Sequence, residues 1–305
     1  MDERQLRILR ELGELGSVAA VAEALLVTPS AVSQQLRLLQ RGVPVPLTER
    51  SGRRLTLTAA GQALADAAIE VEAALARARQ VVDEFVAEPA GTVSVAAFHS
   101  AALVFFPRLL RALAEPGSPR LALADQDVAQ EQFPKLTRDY DLVLAHRFDH
   151  APPWPRTVTV TPLLQEPLDI ALPVGHRLAA KARLTPRDVA GEPWVSVHDG
   201  FPVLPLVEAI GMAAGRRVEL VHRVNEFSVV AELVAAGGGV IGLLPRWTTR
   251  AHAGVVLRPL SGVRARRHVD VLQRPEGSVR RAVGAVVAEL RRAAGEVQEW
   301  EQELR

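Results

Sequence analysis

Ser30, Ser33, Gln34 and Arg37 occupy positions that one helix face presents together, because a helix turns once about every 3.6 residues. Short hydroxyls, an amide and a guanidinium at that spacing do hydrogen-bonding chemistry rather than bond-breaking chemistry. A glutamine amide suits the adenine edge and a serine hydroxyl suits several partners, so the set fits the donor and acceptor pattern of a DNA major groove. A second constellation lies further along. Phe98, His99 and Ser100 follow one apolar run, Gln126 and Asp127 a second, and His146 and Arg147 a third; His198, Phe201, Asn225, Glu226 and Phe227 close two more. Aromatic, hydroxyl, amide and charged side chains grouped at strand ends suit capture of a small molecule.

The first constellation needs a helix to carry it, and "VTPSAVSQQLRLLQ" supplies one. Thr28 offers a cap hydroxyl, Pro29 takes the first helical position, and Val32, Leu36 and Leu39 fall on the side opposite the polar face. Leu6, Leu9 and Leu12 place an earlier helix over residues 4–15, and Ser17 caps a second from Val18 to Leu25. Three short helices therefore precede residue 42, the last two joined by a very short turn. A polar helix face alone is usually just solvated; local charge separates the two readings. Residues 30–57 carry Arg37, Arg41, Arg50, Arg53 and Arg54 against Glu49, in a chain whose formal net charge is +1. That concentration matches phosphate contacts. "ERSGRRLTLT" reads as a tight hairpin turning at Ser51 and Gly52, a wing that lays Arg53 and Arg54 beside a nucleic-acid backbone.

In order, spacing and loop length, "GSVAAVAEALLVTPSAVSQQLRLLQ" followed by "VPVPLTERSGRRLTLTAAG" resembles the winged helix-turn-helix of the LysR-type transcriptional regulators. The resemblance is most specific over residues 1–62 and runs on to the C-terminus. It departs at Val21, where the family usually has alanine, at Pro44, where the loop usually has glycine, and at Thr48, where an aromatic usually packs. None of these lies on the reading face. Carried over position by position, the resemblance implies that Thr28, Pro29, Ser30, Ser33, Gln34 and Arg37 face the groove of double-stranded promoter DNA. It implies that Arg50, Arg53 and Arg54 sit on phosphates.

From Thr58 the pattern changes. Leu64, Ala68, Val71, Leu75, Ala78, Val82 and Phe85 recur at alternating steps of four and three, an apolar seam sustained over three heptads. Such a seam either packs onto its own domain or pairs with the same helix of a second copy, and its length and regularity favour pairing. The resemblance implies the same: a linker helix that makes a homodimer, with a tetramer built as a dimer of dimers. A two-fold pair would present two recognition helices to a pseudo-palindromic site.

"AEPAG" at 87–91 closes that helix. Beyond it strands and helices alternate, and the nearly continuous apolar strands predict a parallel sheet covered on both faces. The expected fold class is α/β: a winged helix-turn-helix over 1–58, a linker helix over 59–88, and a two-lobed effector domain over 91–305. Its lobes are expected at 91–161 plus 268–305 and at 162–267. The resemblance implies that this domain is similar to periplasmic binding proteins and takes a small-molecule effector in its cleft. In open α/β sheets ligands sit beyond the carboxyl ends of the strands. That rule selects Phe98, His99, Ser100, Gln126, Asp127, His146, Arg147, His198, Phe201, Asn225 and Phe227 as effector contacts. Ser100 at a helix start, with Arg147 as counter-charge, predicts a seat for an anionic group.

Other patterns dissolve on inspection. Gly237, Gly239 and Gly242 fit G-x-G-x-x-G, yet a helix precedes them and a strand follows, the reverse of a dinucleotide site. His146, Asp149 and His150 have metal-compatible spacing but run into three prolines in "HRFDHAPPWP", which reads as a loop. Asp125 and Asp127 lack a nucleophile or metal partner. There is no cysteine, hence no disulfide or thiolate chemistry, and no G-x-S-x-G, P-loop or H-E-x-x-H pattern. No cofactor, metal or membrane partner is expected. The charged start "MDERQLRILRELG" and the lack of an eighteen-residue apolar run point to a cytoplasmic protein. The remaining competitor is an enzymatic or small-molecule-binding α/β module with a helical appendage. The basic first segment argues against it.

Overall fold

The computed structural model describes residues 1–51, 54–83, 91–149, 151–199, 201, 203–247, 252–277 and 280–302. They fold as two compact units, one of Met1–Glu88 with Arg274–Arg280 and one of Pro89–Gln273 with Arg281–Arg305.

The first unit holds α1 (Glu3–Leu15), α2 (Val18–Ala24), α3 (Pro29–Arg41), the hairpin β1 (Thr48–Ser51) and β2 (Arg54–Leu57), and α4 (Ala59–Asp83). Each helix starts where its sequence signals say it should. Asp2 and Gln5 form a capping box on α1, the Ser17 hydroxyl accepts from Ala20 N–H, and the Thr28 hydroxyl accepts from Ala31 N–H. Ile8, Leu9, Leu12, Val21, Val32, Leu36, Leu39, Leu47 and Ala65 make one closed core. Each large aliphatic among them contributes roughly 1.5–3 kcal/mol on burial. Val21, larger than the alanine usual in the family, is fully enclosed in that core. Helix α4 begins against the wing strands: a Cβ at Gly61 would lie 1.9 Å from the Leu47 carbonyl oxygen, so only glycine fits there. One buried spot is ionic. Arg10, 2% exposed, donates to Glu72 on α4 at 2.5 Å and to Glu276 at 3.2 Å, while Arg274 donates to Glu11 at 2.8 Å. Enclosed charges persist only when paired in this way.

The second unit follows as β3 (Thr92–Ala97), α5 (His99–Ala112), β4 (Arg120–Asp125), α6 (Phe133–Leu136), β5 (Leu142–Phe148), β6 (Thr159–Pro173), α7 (Pro186–Val189), β7 (Pro193–Ser196), α8 (Leu204–Ala214), β8 (Glu219–Arg223), α9 (Phe227–Ala235), β9 (Gly242–Pro245), β10 (Val255–Arg258), β11 (Arg266–Gln273) and α10 (Arg281–Gln302). Strand order in the main sheet is β10-β6-β11-β5-β3-β4, with β9 also on β6, and β7 pairs β8 in a small separate sheet. The sheet is mixed, not parallel as the alternating pattern predicts. Strands β3, β4 and β5 are parallel, but β11 runs antiparallel to both β5 and β6. The segment "EPLDIALP" is also only the second half of a 15-residue strand. That length matters: Leu164 near its start belongs to a core with Val95, Phe105, Leu144 and Leu290, whereas Leu168, Ile170 and Leu172 belong to another with Trp194, Val207 and Ile210. One strand thus threads two cores. On α10 the inward positions are Val283, Val286 and Leu290; Val287 is only partly buried, and Val279 lies outside the described residues. Among the described residues no helix is long and apolar enough to cross a membrane.

Candidate nucleic-acid interface and ligand cleft

Helix α3 divides its faces cleanly. Val32, Leu36 and Leu39 are buried, while Thr28, Pro29, Ser30, Gln34 and Arg37 are exposed and Ser33 is half-buried. The Arg37 guanidinium folds back to donate to the Ser33 carbonyl at 3.1 Å, and the Thr28 and Ser30 hydroxyls lie 2.9 Å apart. The turn into α3 is a Schellman motif: Val27 N–H donates to Ala22 and Leu26 N–H to Glu23. Such a motif calls for a left-handed residue, normally glycine. Here it is Leu26, with φ +52° and a side chain 94% exposed. Arg50 is exposed on β1, paired in register with Leu55. Arg53, and the side chain of Arg54, lie outside the described residues.

The predicted seam on α4 divides in two. Ala68 is fully buried and Leu64 packs on the first unit's own core, beside Ala65 and Glu72, so these positions face inward within one chain. The simpler expectation holds for them. Val71 is 41% exposed, Leu75 is half-buried and Ala78 is exposed. The Val82 side chain and Phe85 fall outside the described residues.

In the second unit a cavity of about 40 Å³ opens among Phe98, His99, Ser100, Asp127, His146, Phe148, Phe201, Asn225, Glu226, Phe227 and Arg267. On the scale where one water needs roughly 10–15 Å³, it holds a few waters. Most of the strand-end residues chosen from sequence converge here, and three do not. Gln126 turns away to donate to the Tyr140 hydroxyl at 3.1 Å, and exposed His198 does not line the cavity, although its N–H donates to Asn225 Oδ1 at 2.9 Å. Arg147 is the real correction. Its Nε donates to Asp270 at 3.2 Å, beside the Trp154 indole at 2.7 Å from the same oxygen, so it is no counter-charge for a ligand.

The cation at the floor is Arg267 instead, 2% exposed. Its Nε donates to Glu166 at 2.7 Å and its Nη2 to the Ser100 hydroxyl at 2.9 Å, with the rings of Phe98 and Phe227 at 4.8 and 5.5 Å. Burial pushes the Glu166 carboxyl up while Arg267 pulls it down. Sequence reasoning missed Arg267 because the strand-end rule counts the carboxyl ends of parallel strands. Strand β11 is antiparallel, so its beginning lies at that same edge: Arg267 is in register with Phe148, the last residue of β5. His146 stands edge-on to Phe98, Phe133 and Phe148, and its Nδ1 is shielded from solvent with no hydrogen-bond partner. Burial, then Arg267, lowers its pKa to about 3, so the ring is neutral.

The other patterns resolve as turns and pairs. Gly237 and Gly239 have φ of +77° and +76°, and Gly242 starts β9. Asp149 meets His268 at 2.6 Å, Asp125 meets His99 at 3.6 Å, and His150 lies outside the described residues.

A head with a groove-sized polar helix face and an arginine-bearing wing, on one chain with an α/β unit that holds a small cavity at its strand ends, is the arrangement of a DNA-binding regulator. Residues 3–62 match the model for the bacterial regulatory helix-turn-helix protein, lysR family, and residues 87–295 match that for the LysR substrate binding domain. The chain belongs to the LysR family of transcriptional regulators, which bind promoter DNA under the control of a small-molecule effector. It is 28% identical over 271 residues to the Hca operon transcriptional activator HcaR of Escherichia coli (strain K12), covering 86% of this chain and 88% of that one. Among solved structures it resembles full-length OxyR C199D from Pseudomonas aeruginosa, with TM-score 0.63, 18% identity and 95% of each chain covered. It also resembles full-length CbnR complexed with its target DNA, with TM-score 0.51, 23% identity, and 96% of this chain and 100% of that one covered. These two likenesses are of fold.

Proposed function

We propose that the exposed face of α3, formed by Thr28, Pro29, Ser30, Ser33, Gln34 and Arg37, reads base edges, and that Arg50, Arg53 and Arg54 hold phosphates of the same duplex. The observation that carries this is the division of α3: its apolar side is locked into the core, which leaves a polar side chain of each groove-reading type outward. The cleft around Phe98, Ser100, His146, Asn225 and Phe227 receives the effector, and two copies associate through the outward remainder of α4, pairing again into a tetramer. The protein acts in the cytoplasm, where promoter DNA is found.

Base readers and phosphate holders differ in what their loss does. In fluorescence-anisotropy titrations of the full chain on its promoter and on random duplex, Gln34→Ala narrows the gap between the two DNAs by about 1–3 kcal/mol. Arg50→Ala weakens both alike and reduces the slope of log K against log salt by about one. Identical behaviour of the two variants on both DNAs would show that α3 does not read sequence.

A further inference from the structure

We infer that the ligand of this cleft is a compact cation, an ammonium or amidinium group on a small apolar body, rather than an anion. This rests on the reading of the cleft as the effector site and adds the ligand's charge.

Charge is counted wall by wall. The buried cation that lines the cavity, Arg267, is spent on protein groups: Glu166 balances its charge, and the Ser100 hydroxyl accepts a hydrogen bond from Nη2. The positive N-terminus of α9 is likewise occupied, because the Glu226 side chain accepts from Ser228 N–H at 3.1 Å. At the N-terminus of α5 stands His99, whose ring lies 3.6 Å from Asp125 and 3.9 Å from Glu226, an imidazole between two carboxylates. Asp127 is then left over. It lines the cavity and forms no hydrogen bond or ion pair among the described residues. Partial burial first, and then Glu226, push its carboxyl up, against a smaller downward pull from His99. A neutral or anionic ligand leaves that imbalance in place; a cation removes it.

The remaining lining agrees. The rings of Phe98, Phe148, Phe201 and Phe227 line the cavity, with Arg267 already over those of Phe98 and Phe227, and aromatic walls attract cations. The neutral His146 ring must carry one nitrogen that accepts, and its shielded Nδ1 has no partner. A cavity of about 40 Å³ restricts the enclosed part to a few heavy atoms.

The test uses the full chain and three probes of equal size: n-butylamine, n-butyrate and 1-butanol, titrated by ligand-observed NMR up to about 10 mM, the range of weak fragment affinities. The amine is expected to bind at least about tenfold more tightly than butyrate. Asp127→Asn, and separately Glu226→Gln, are each expected to weaken the amine about fivefold while leaving butanol unchanged. Both substitutions keep size and hydrogen-bonding capacity, so folding is preserved. Butyrate as the tightest probe, with its binding lost in Phe227→Ala, overturns the charge assignment while the cleft survives as the ligand site. Amine binding that ignores Asp127→Asn, Glu226→Gln and Phe227→Ala alike overturns the cleft itself. Failure of all three probes to bind overturns the cationic assignment too.

Discussion

At Arg267 and His146 a few atoms decide what the cleft can hold. Arg267 is a cation that costs too much to bury alone, so the fold gives it Glu166, the Ser100 hydroxyl and two aromatic rings. His146 solves the same problem by remaining neutral, with its pKa lowered to about 3 by burial and by Arg267. This has a measurable consequence. In the unfolded chain a histidine takes up a proton near pH 6.5, whereas the folded chain takes none there until about pH 3. Between those values the unfolded state binds more protons, so stability is present above the upper limit and is lost as pH falls through the window. The loss from this one group approaches about 1.4 kcal/mol per pH unit. Denaturant unfolding at pH 6.5, 5.5 and 4.5 should therefore show the wild type losing stability faster than His146→Phe, which keeps the aromatic packing without the base. Parallel pH profiles would mean that His146 is protonated in the folded state.

Helix α4 does two jobs with one apolar pattern. A seam with steps of four and three reads as a single stripe, yet the buried row of α4 runs through Ala65, Ala68 and Glu72, so only the edge of the stripe beside that row is enclosed. Leu64 packs on the core of its own unit and Ala68 is fully buried, while Val71, Leu75 and Ala78 keep outward exposure. Val71→Glu should therefore leave the monomer folded, with an unchanged far-ultraviolet circular dichroism spectrum, and weaken dimers by about 1–3 kcal/mol, read by sedimentation equilibrium. Ala68→Glu should instead unfold the first unit, because that carboxylate would be enclosed without a partner. Unchanged association of Val71→Glu would remove α4 from the interface. The wing behaves more simply: its register, Thr48 opposite Leu57 through Ser51 opposite Arg54, follows directly from the alternation in "TERSGRRLTL".

The whole molecule consists of two units with separate cores, one built on Leu9, Leu12, Val32 and Leu39 and the other on the mixed sheet and its flanking helices. Units with separate cores unfold as separate cooperative transitions. Calorimetry of the full chain should resolve two transitions, and saturating promoter duplex should raise one of them, by about 2.7 kcal/mol at a hundredfold excess over Kd, leaving the other in place. A single transition that DNA raises as a whole would mean that the units fold as one. The net charge of +1 gives the whole chain no global attraction to DNA, whereas five arginines face one glutamate over residues 30–57.

The head was legible in the sequence because its signals are local: Ser17 and Thr28 cap within three residues, Pro29 marks a helix start, and Val32, Leu36 and Leu39 repeat at the helical period. Most of the cleft was legible as well, since Phe98 follows a parallel strand, His146 lies near the end of another, and Ser100 and Phe227 lie in the first turn of helices. Pairing direction was not, because an apolar strand has the same composition whether its neighbour runs with it or against it. That direction brought Arg267 to the cavity edge and made it the buried partner of Ser100, while Arg147 turned to Asp270. Residue types and short-range spacing were the sequence's own doing; which charge meets which, and therefore what sign the cleft presents, was decided only when distant strands came side by side.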